Sequence, residues 1–480
     1  MFSKLDKKLL LIYSGLALLF IYPLIQAGIY YRDDLDRSIS GYYGWRGLGR
    51  PFADILARFF SASGHYNLDL FPYTMLASCV FLGASSLALS KHLIRSDVAN
   101  AKMVAALLIF NPFILQNIAY RYDSLGMSIA FFLAVIAYTY SNKNLALEIA
   151  TKLISGVLAL TLYQPCANVF IGLLAIDVII IAIKQHVKVK EFVIFLFKKT
   201  ILFLSFYIIY ILFLSPKNNS RAELIPLDKG GLDYLIGTLA SLKALVLSYL
   251  YHPVYIYFAI PILICCVFMF ISYRARIGNI VSFILYGAIS FLIFIVSLMG
   301  PTILLQDAPV LPRTLVSFSV IMVIIAIPIM HFVPRLKYAA LIPVIASLAF
   351  SAQLGNTMKA QQEYEDFVFN MIAQDIANHK NIVSIGTVGQ LNANERAKLI
   401  IENKPLVGHF VFPATEFLAS FQLINKGLLQ TQHGYSDVQE NKNKLANMIS
   451  KGIKPVSSNQ YYSLFISDNT AIVFLGKYNN

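Results

Sequence analysis

Long apolar runs alternate with short polar loops over the first three quarters of the chain. Each run has roughly 17 to 25 predominantly apolar residues, the length of an α-helix that crosses the hydrocarbon core of a bilayer. The pattern predicts about eleven membrane-spanning helices. They lie near residues 9–28, 70–90, 101–118, 124–141, 147–163, 166–184, 193–215, 253–272, 278–299, 312–332 and 336–354. The first run is expected to stay in the membrane, because no signal-peptide cleavage pattern follows it.

The loops between the predicted spans differ in charge between the two sides of the membrane. With the N-terminus in the cytoplasm, every inner loop is basic, as the positive-inside rule requires. The basic residues of these loops are Lys4, Lys7, Lys8, Lys91, Arg95, Lys102, Lys143, Lys152, Lys184, Lys188, Lys190, Arg274, Arg276, Arg335 and Lys337. An odd number of spans then places the C-terminus on the outer side.

Two further helices are predicted outside the spans. In the first outer loop, residues 30–69, Pro51 opens a segment with apolar residues at helical spacing. Asp54 and Arg58 stand four residues apart in it and can form an ion pair. An amphipathic helix of this kind is typical of the membrane interface. The stretch 232–250 has a similar pattern and is predicted to be a second interfacial helix.

The composition changes after Gly355. The remaining sequence predicts a soluble α/β domain of about 125 residues, large enough for its own core. Its expected helices lie at 358–379, 392–402 and 437–451, and its expected strands at 381–386, 461–466 and 471–475. We therefore predict a mainly α protein, with a membrane domain at residues 1–354 and an outer α/β domain at 355–480.

Composition supports a membrane protein and excludes most soluble classes. Of the 480 residues, 58% are hydrophobic and 13% charged, whereas soluble domains carry about a quarter charged residues. The net charge of +14 comes mostly from the inner loops, so it indicates membrane topology and not nucleic-acid binding.

The stretch 30–50, directly after the first predicted span, concentrates candidate chemistry. Its acidic, basic and aromatic residues include Asp33, Asp34, Asp36, Arg32, Arg37, Arg46, Arg50, Tyr42, Tyr43 and Trp45. Adjacent carboxylates repel each other, which favours a raised pKa for at least one of them and suits it to accept a proton. Arginine offers a planar fork for phosphate oxygens, and aromatic rings can stack on a sugar. The alternatives are a loop whose charges pair with one another and an aromatic belt at the interface.

Two more arginines stand on the outer side, where the positive-inside rule disfavours them. Arg121 and Arg313 each lie at the outer end of a predicted span. A charge near hydrocarbon usually has a polar partner or a function. Asp123 and Asp307 are candidate partners for the two arginines. Three outer loops that supply cations near a carboxylate pair would instead suit the phosphate of an anionic lipid.

These motifs together resemble one family, the membrane-embedded glucosyltransferases that modify bacterial O-antigen in serotype conversion and are often carried by phage. The resemblance rests on Arg-Asp-Asp…Gly-Arg-Pro in the first outer loop, Arg121-Tyr-Asp-Ser, Tyr163-Gln164 and Pro312-Arg313. It covers the membrane part and adds little for the C-terminal domain.

The resemblance implies a GT-C glycosyltransferase of the bacterial inner membrane with its active site facing the periplasm. Such an enzyme would transfer glucose from undecaprenyl phosphate to a sugar of the lipid-linked O-antigen, without a metal or another cofactor. The catalytic base would be Asp33 or Asp34, which the tandem pair leaves open. The implied site then has Arg121, Arg313 and Arg50 at the donor phosphate, and Asp36, Trp45, Tyr42, Asp123 and Gln164 at the sugars. The C-terminal domain has no catalytic or nucleotide-binding motif of its own, so independently of the resemblance we expect it to be a lid or a platform that recognises the acceptor.

Two alternatives stay open at this stage. A GT-C enzyme with another lipid-phosphate sugar or another acceptor would carry the same motifs. A lipid-linked sugar transporter or flippase would also be polytopic, but it would usually show inverted repeats and helices broken near the midplane. Here the charges lie at one face, which favours chemistry on a lipid head group.

Overall fold

The computed structural model describes residues 4–184, 187–216, 223–250 and 280–478, together with residues 263, 267 and 271. The predicted span at 253–272 lies outside the described residues, apart from those three positions. Within the described ranges, most of the chain is helical and a small sheet occurs in the C-terminal part.

The first fourteen described helices run from the N-terminus to residue 377. They are α1 (Lys4–Ala27), α2 (Asp34–Ser40), α3 (Pro51–Ser61), α4 (Tyr73–Arg95), α5 (Ala101–Ala106), α6 (Leu115–Ala119), α7 (Ser124–Thr139), α8 (Leu145–Leu162), α9 (Asn168–Lys184), α10 (Val189–Phe213), α11 (Lys229–Leu250), α12 (Ile280–Met299), α13 (Val320–Phe332) and α14 (Leu341–Ala377). Short 3-10 turns join several of them, among them Gln164–Ala167 and Pro312–Thr314.

Among the described residues, nine helical segments are long and apolar enough to cross a membrane. They are Lys4–Ala27, Tyr73–Arg95, Ala101–Ala119, Leu145–Leu162, Gln164–Lys184, Val189–Phe213, Lys229–Leu250, Val281–Leu304 and Pro334–Ala377. Ser124–Thr139 and Val316–Phe332 are shorter apolar helices. The protein is therefore a multi-pass membrane protein with a helical bundle, as the apolar pattern predicts. Lys229–Leu250, predicted to be interfacial, meets the same length and hydropathy criteria as the spans.

The described chain separates into two compact units. The first contains Met1–Ile25 and Tyr43–Ala352, and the second contains Gln26–Tyr42 and Gln353–Asn480. Residues 26–42 thus belong with the C-terminal residues, although the sequence assigns them to the end of the first span and the start of the first outer loop, both in the predicted membrane domain. The predicted division at residue 355 stays a prediction for the domains of the protein.

Helix α9 lies at the centre of the first unit and packs against α7, α12 and α13. Most of its residues are buried, including Val169, Phe170 and Ile176. A largely apolar helix of this kind is covered either by lipid or by neighbouring helices, and the burial of most of its residues shows that here neighbouring helices cover it. This bundle carries the loops in which the candidate residues of the first unit lie.

The second unit is an α/β structure built on a four-stranded sheet. Its strands are β1 (Ser384–Gly389), β2 (Ser457–Ser458), β3 (Tyr462–Ser467) and β4 (Thr470–Leu475), and its helices after α14 are α15 (Glu395–Asn403), α16 (Pro405–Gly408), α17 (Glu416–Asn425) and α18 (Asp437–Ser450). The strand order is β1-β4-β3-β2, with β1 parallel to β4 and the other neighbours antiparallel.

Three apolar clusters stabilise the second unit, and two of them involve α14 and α2. The C-terminal half of α14 packs Phe369 and Ile372 against the sheet residues Ile385 and Val473. Leu35 of α2 packs against Phe421 and Ile424 of α17. The α/β class predicted for this part is confirmed. Strand β1 begins at Ser384, later than the predicted start at residue 381, and α17 has no counterpart in the prediction.

Candidate functional site

The first outer loop turns sharply before α3. Two of its side chains, Trp45 and Arg50, contact other loops of the first unit. Arg46–Leu48 forms a 3-10 turn, and Gly49 then adopts a left-handed conformation with φ 73°. A Cβ at Gly49 would lie 2.5 Å from the hydroxyl oxygen of Tyr210. Glycine is therefore required here by conformation and by space. The carbonyl of Gly49 accepts a hydrogen bond from the Tyr210 hydroxyl at 2.9 Å.

Arg50 follows this turn and faces the short turn before α9. Its Nε donates to Oε1 of Gln164 at 3.0 Å, and its guanidinium lies 4.7 Å from the ring centroid of Tyr163. Arg50 forms no ion pair with any described carboxylate within 4 Å. Burial lowers the pKa of Arg50, and the positive charge of Arg313 lowers it further, while the Asp123 carboxylate opposes this. An anion bound beside Arg50 would offset both the burial of its charge and the repulsion from Arg313.

Arg313 is fixed by its backbone and its side chain. Its N–H donates to Oε1 of Gln116 at 2.9 Å, and its carbonyl accepts a hydrogen bond from the Tyr163 hydroxyl at 3.0 Å. Its Nη1 donates to the Tyr120 hydroxyl at 2.6 Å. Arg313 therefore contacts Tyr163, the tyrosine whose ring lies against the Arg50 guanidinium.

Arg121 has an acidic partner that the sequence analysis missed. Its Nη1 lies 3.2 Å from Oδ2 of Asp69, and its guanidinium lies 4.2 Å from the ring centroid of Phe71. The side chain of Arg121 is 8% exposed and that of Asp69 is 26% exposed. Asp69 directly precedes the predicted second span, which begins at residue 70. Like Arg121, it is a charged residue at the end of a predicted span, and this position could have identified it as a partner.

Trp45 and Asp123 are joined directly. The indole Nε1 of Trp45 donates to Oδ1 of Asp123 at 2.6 Å, and the ring of Trp45 is 2% exposed. Trp45, Arg121 and Asp123 line one cavity of about 40 Å³ beside α3. The predicted site residues of the first unit thus fall into two groups, Arg50 with Gln164 and Arg313, and this cavity. The charge of Asp123 acts on Arg50 and connects the two groups.

Asp54 of α3 stabilises the first outer loop through two ion pairs. The carboxylate Oδ2 accepts from Nε of Arg46 at 3.0 Å and from Nε of Arg58 at 2.8 Å. The predicted pairing of Asp54 with Arg58 is confirmed. Asp54 is 2% exposed, so it holds the loop in place and offers no open carboxylate to a substrate.

The tandem aspartates of the second unit differ in exposure. Asp33 precedes α2, its side chain is 44% exposed, and its Oδ2 lies 4.0 Å from Nη2 of Arg37. Asp34 is completely buried, and its Oδ2 accepts a hydrogen bond from the backbone N–H of Tyr31 at 3.2 Å. Only Asp33 of this pair is therefore open to a substrate hydroxyl. The sequence could not separate the two, because the difference arises from the first turn of α2.

Asp36 and Tyr42 also belong to the second unit. Burial raises the pKa of Asp36, and the hydrogen bond from the Ser40 hydroxyl opposes that shift. Tyr42 is 38% exposed, and the guanidinium of Arg37 lies 4.6 Å from its ring centroid. The roles of both residues at a sugar stay predictions, as does the convergence of Asp33 and Asp34 with the arginines of the first unit.

No group of three or more His, Cys, Asp or Glu side chains that could hold a metal ion occurs among the described residues. The prediction that the reaction needs no metal is not tested by this observation. The arginines Arg50, Arg121 and Arg313 of the first unit offer a ligand hydrogen-bond donors and positive charge, which suit an anion.

Comparison with known proteins identifies the family. The family model described as Glucosyl transferase GtrII matches residues 22–330, which is more than half of the chain. A protein of Salmonella phage P22, described as an uncharacterized 55.3 kDa protein in the gtrB 5′ region, is 28% identical over 185 residues. That alignment covers 38% of this chain and 38% of the phage protein. No solved structure matches the chain. The outer-loop motifs at Arg50, Arg121, Gln164 and Arg313 all lie within the matched range, and the chain belongs to the Glucosyl transferase GtrII family.

Proposed function

We propose that this protein is an inverting glycosyltransferase of the bacterial inner membrane. It transfers glucose from undecaprenyl phosphate to a sugar of the lipid-linked O-antigen on the periplasmic side. Family membership supports glucosyl transfer. The observation that carries the donor assignment is that Arg50 and Arg313, from different loops, both contact Tyr163. The Arg50 guanidinium lies 4.7 Å from the ring centroid, and the Tyr163 hydroxyl donates to the Arg313 carbonyl at 3.0 Å.

The charge of the donor changes during the reaction in a way that suits this arginine pair. The sugar–phosphate–lipid donor is a phosphodiester with one negative charge, and the departing lipid phosphate gains a second as the anomeric bond breaks. Cations placed beside this oxygen therefore bind the transition state more tightly than the substrate. Arg50 and Arg313 supply that charge. Arg121, already paired with Asp69, contributes less of it.

Asp33 is the proposed base. The acceptor hydroxyl gives its proton to the Asp33 carboxylate while its oxygen attacks the anomeric carbon, and the lipid phosphate leaves from the opposite face. The configuration of the sugar inverts. Asp33 is preferred over Asp34 because its carboxylate is partly exposed, whereas Asp34 is enclosed and bound to the backbone of Tyr31.

The test compares Asp33→Asn and Asp34→Asn in cells whose O-antigen is otherwise unmodified. Mass and linkage analysis of the O-antigen measures glucosylation, and immunoblots of membranes measure protein level. We expect Asp33→Asn to lower transfer by about 10² to 10⁴ at unchanged protein level, because a general base is lost. Asp34→Asn should lower protein level and transfer together.

Arg46→Gln is the matched control, because Arg46 lies in the same loop and its side chain is 66% exposed. Full transfer by Asp33→Asn, Asp34→Asn and the double variant would exclude both aspartates as the base. Movement of a lipid-linked sugar across the membrane without any glucosylated product would identify a transporter instead of an enzyme.

A further inference from the structure

A cavity in the second unit has the character of a ligand site. Its volume is about 110 Å³, and it lies between the segment 29–35, α14, the segment 410–414 and α17. The residues that give it chemical character are Tyr31, Arg32, Gln362, Glu365, Phe412 and Gln422. We call it the C-terminal cleft. A cavity of this volume holds several water molecules, and hence part of a sugar ring.

Glu365 contributes a buried acceptor to the C-terminal cleft. The residue is 8% exposed, and its Oε1 accepts from Nε2 of Gln361 at 2.8 Å and from the backbone N–H of Ala414 at 2.8 Å. Its Oε2 accepts no hydrogen bond from any described residue, and no described cation pairs with it. Oε2 therefore keeps its capacity to accept a hydrogen bond from a ligand hydroxyl.

Arg32 contributes donors and Phe412 an apolar face. The guanidinium of Arg32 lies 4.3 Å from the ring centroid of Phe412, and Phe412 is 39% exposed. The guanidinium makes no hydrogen bond or ion pair with any residue in the described part of the chain. Arg32 also adopts φ 53°, a left-handed conformation that is unfavourable for a residue with a side chain. The fold thus holds these donors at the cleft in spite of backbone strain.

The balance of charge selects the kind of ligand. Arg32 is one cation, whereas Glu365 and Asp366 are two carboxyl groups that line the cleft, and Asp366 is paired with Lys426 at 2.9 Å. This set does not favour a phosphate or another anion. Amide groups, a carboxyl oxygen, a guanidinium and an aromatic ring together suit a neutral ligand with several hydroxyl groups.

We propose that the C-terminal cleft binds a neutral sugar residue of the acceptor glycan. The proposal rests on the proposed function, since that function supplies a polysaccharide acceptor. In it, Glu365 accepts a hydrogen bond from a sugar hydroxyl, Arg32 donates to a sugar oxygen, and the ring of Phe412 covers an apolar face of the sugar. The second unit thereby selects the acceptor, and a glycan without a matching residue is bound weakly.

The experiment measures binding of an O-antigen oligosaccharide, released from unmodified lipopolysaccharide by mild acid, to the full chain in lipid nanodiscs. Saturation-transfer NMR gives the contact, and titration gives Kd. We expect Phe412→Ala and Glu365→Gln each to weaken binding at least tenfold. Phe367→Ala is the matched control, because Phe367 is 52% exposed on α14 and does not line the cleft. It should bind within about twofold of the parent.

Thermal melts establish that the variants fold, and Arg32→Gln provides a second variant outside the packed interior. Absence of saccharide binding by the parent, or folded cleft variants that bind as the parent does, would overturn the proposal. Failure of the proposed function is a separate result. In that case the parent transfers no glucose from the lipid donor, whereas saccharide binding is measured without any donor. Asp33→Asn should lose transfer and keep binding.

Discussion

The indole N–H of Trp45 donates to the carboxylate of Asp123 at 2.6 Å, although 78 residues separate them in sequence. This contact joins the first outer loop to the turn before α7. Trp45 is 2% exposed, so the donor is shielded from water, and the acceptor is a carboxylate. Hydrogen bonds of that kind stabilise by about 1.5–3 kcal/mol.

A double-mutant cycle with Trp45→Phe and Asp123→Ala should therefore show strong coupling. We expect the sum of the two single effects on the free energy of unfolding to exceed the effect of the double variant by about 1–3 kcal/mol. Either single change already removes the hydrogen bond, so the double variant loses it only once. Circular dichroism in mixed micelles is the suitable probe, because Trp45→Phe removes the only tryptophan and with it the tryptophan fluorescence signal. Effects that add within about 0.5 kcal/mol would show that the contact does not stabilise the loop.

The ion pair between Arg121 and Asp69 gives the second prediction. Asp69→Asn leaves the nearly buried Arg121 guanidinium without its anion, which should cost about 1–3 kcal/mol, less than for a fully buried pair because Asp69 is 26% exposed. The double variant Asp69→Asn, Arg121→Gln should regain part of this stability, because the isolated charge is gone. Melting temperature measures the effect.

Activity of the same double variant separates the two roles of Arg121. If Arg121 also faces the donor phosphate, the stable double variant should show a raised KM for the lipid donor. A KM equal to that of the parent would restrict Arg121 to a structural role.

Sequence patterns were sufficient for the membrane helices and for the α/β class of the C-terminal part, because both follow from local hydropathy and propensity. They were insufficient to predict which side chains pair with each other. Asp123 was a candidate partner of Arg121, yet the ion pair that the structure shows for Arg121 is with Asp69, 52 residues away, and Asp123 binds Trp45. Pairing across loops depends on how the helices pack, which one sequence does not encode locally.

The membership of residues 26–42 in the second unit was equally hidden. Leu35 sits on α17 through Phe421 and Ile424, and no periodicity links positions so far apart in the chain. Exposure was hidden as well, since neighbouring Asp33 and Asp34 look alike in sequence and differ only once α2 has formed. The candidate residues could thus be named from the sequence, but their accessibility and contacts could not.

The third prediction compares two arginines of one loop. Arg50→Lys should lower glucosyl transfer by about 10²-fold, because a preorganised donor to the leaving phosphate is lost and lysine lacks the planar fork of arginine. Arg46→Lys should change transfer by less than about twofold, because lysine keeps a cation beside Asp54 and Arg58 still pairs with that carboxylate. Initial rates with matched protein levels measure both.

Equal losses in the two lysine variants would show that the loop as a whole, and not Arg50 itself, sets the rate. An Arg50→Lys variant with the parent rate would remove Arg50 from the donor site. Arg50→Lys and Gln164→Ala should also be coupled, since the hydrogen bond from Arg50 to Gln164 orients the guanidinium.

The last prediction uses the raised pKa of Asp36. Burial raises this pKa, the Ser40 hydrogen bond and His433 oppose the shift, and the nearby Asp33 and Arg37 act in opposite directions. The folded state therefore holds the proton of Asp36 more tightly than the unfolded state does. The stability from this group is complete below the ordinary value of 3.8 and falls as the pH rises through the raised pKa. Asp36 therefore contributes less to the stability of the fold at neutral pH than at acidic pH.

Asp36→Asn should accordingly slow hydrogen exchange of the α2 amides at pH 7, and the difference from the parent should shrink as the pH approaches 4. Ser40→Ala is the matched control with the opposite sign, because it removes the hydrogen bond that favours the ionised carboxylate. If Asp36 binds a sugar hydroxyl, Asp36→Asn will stabilise α2 and still weaken glucosyl transfer. Faster exchange in Asp36→Asn at pH 7 would mean that the ionised carboxylate stabilises the fold, contrary to the burial argument.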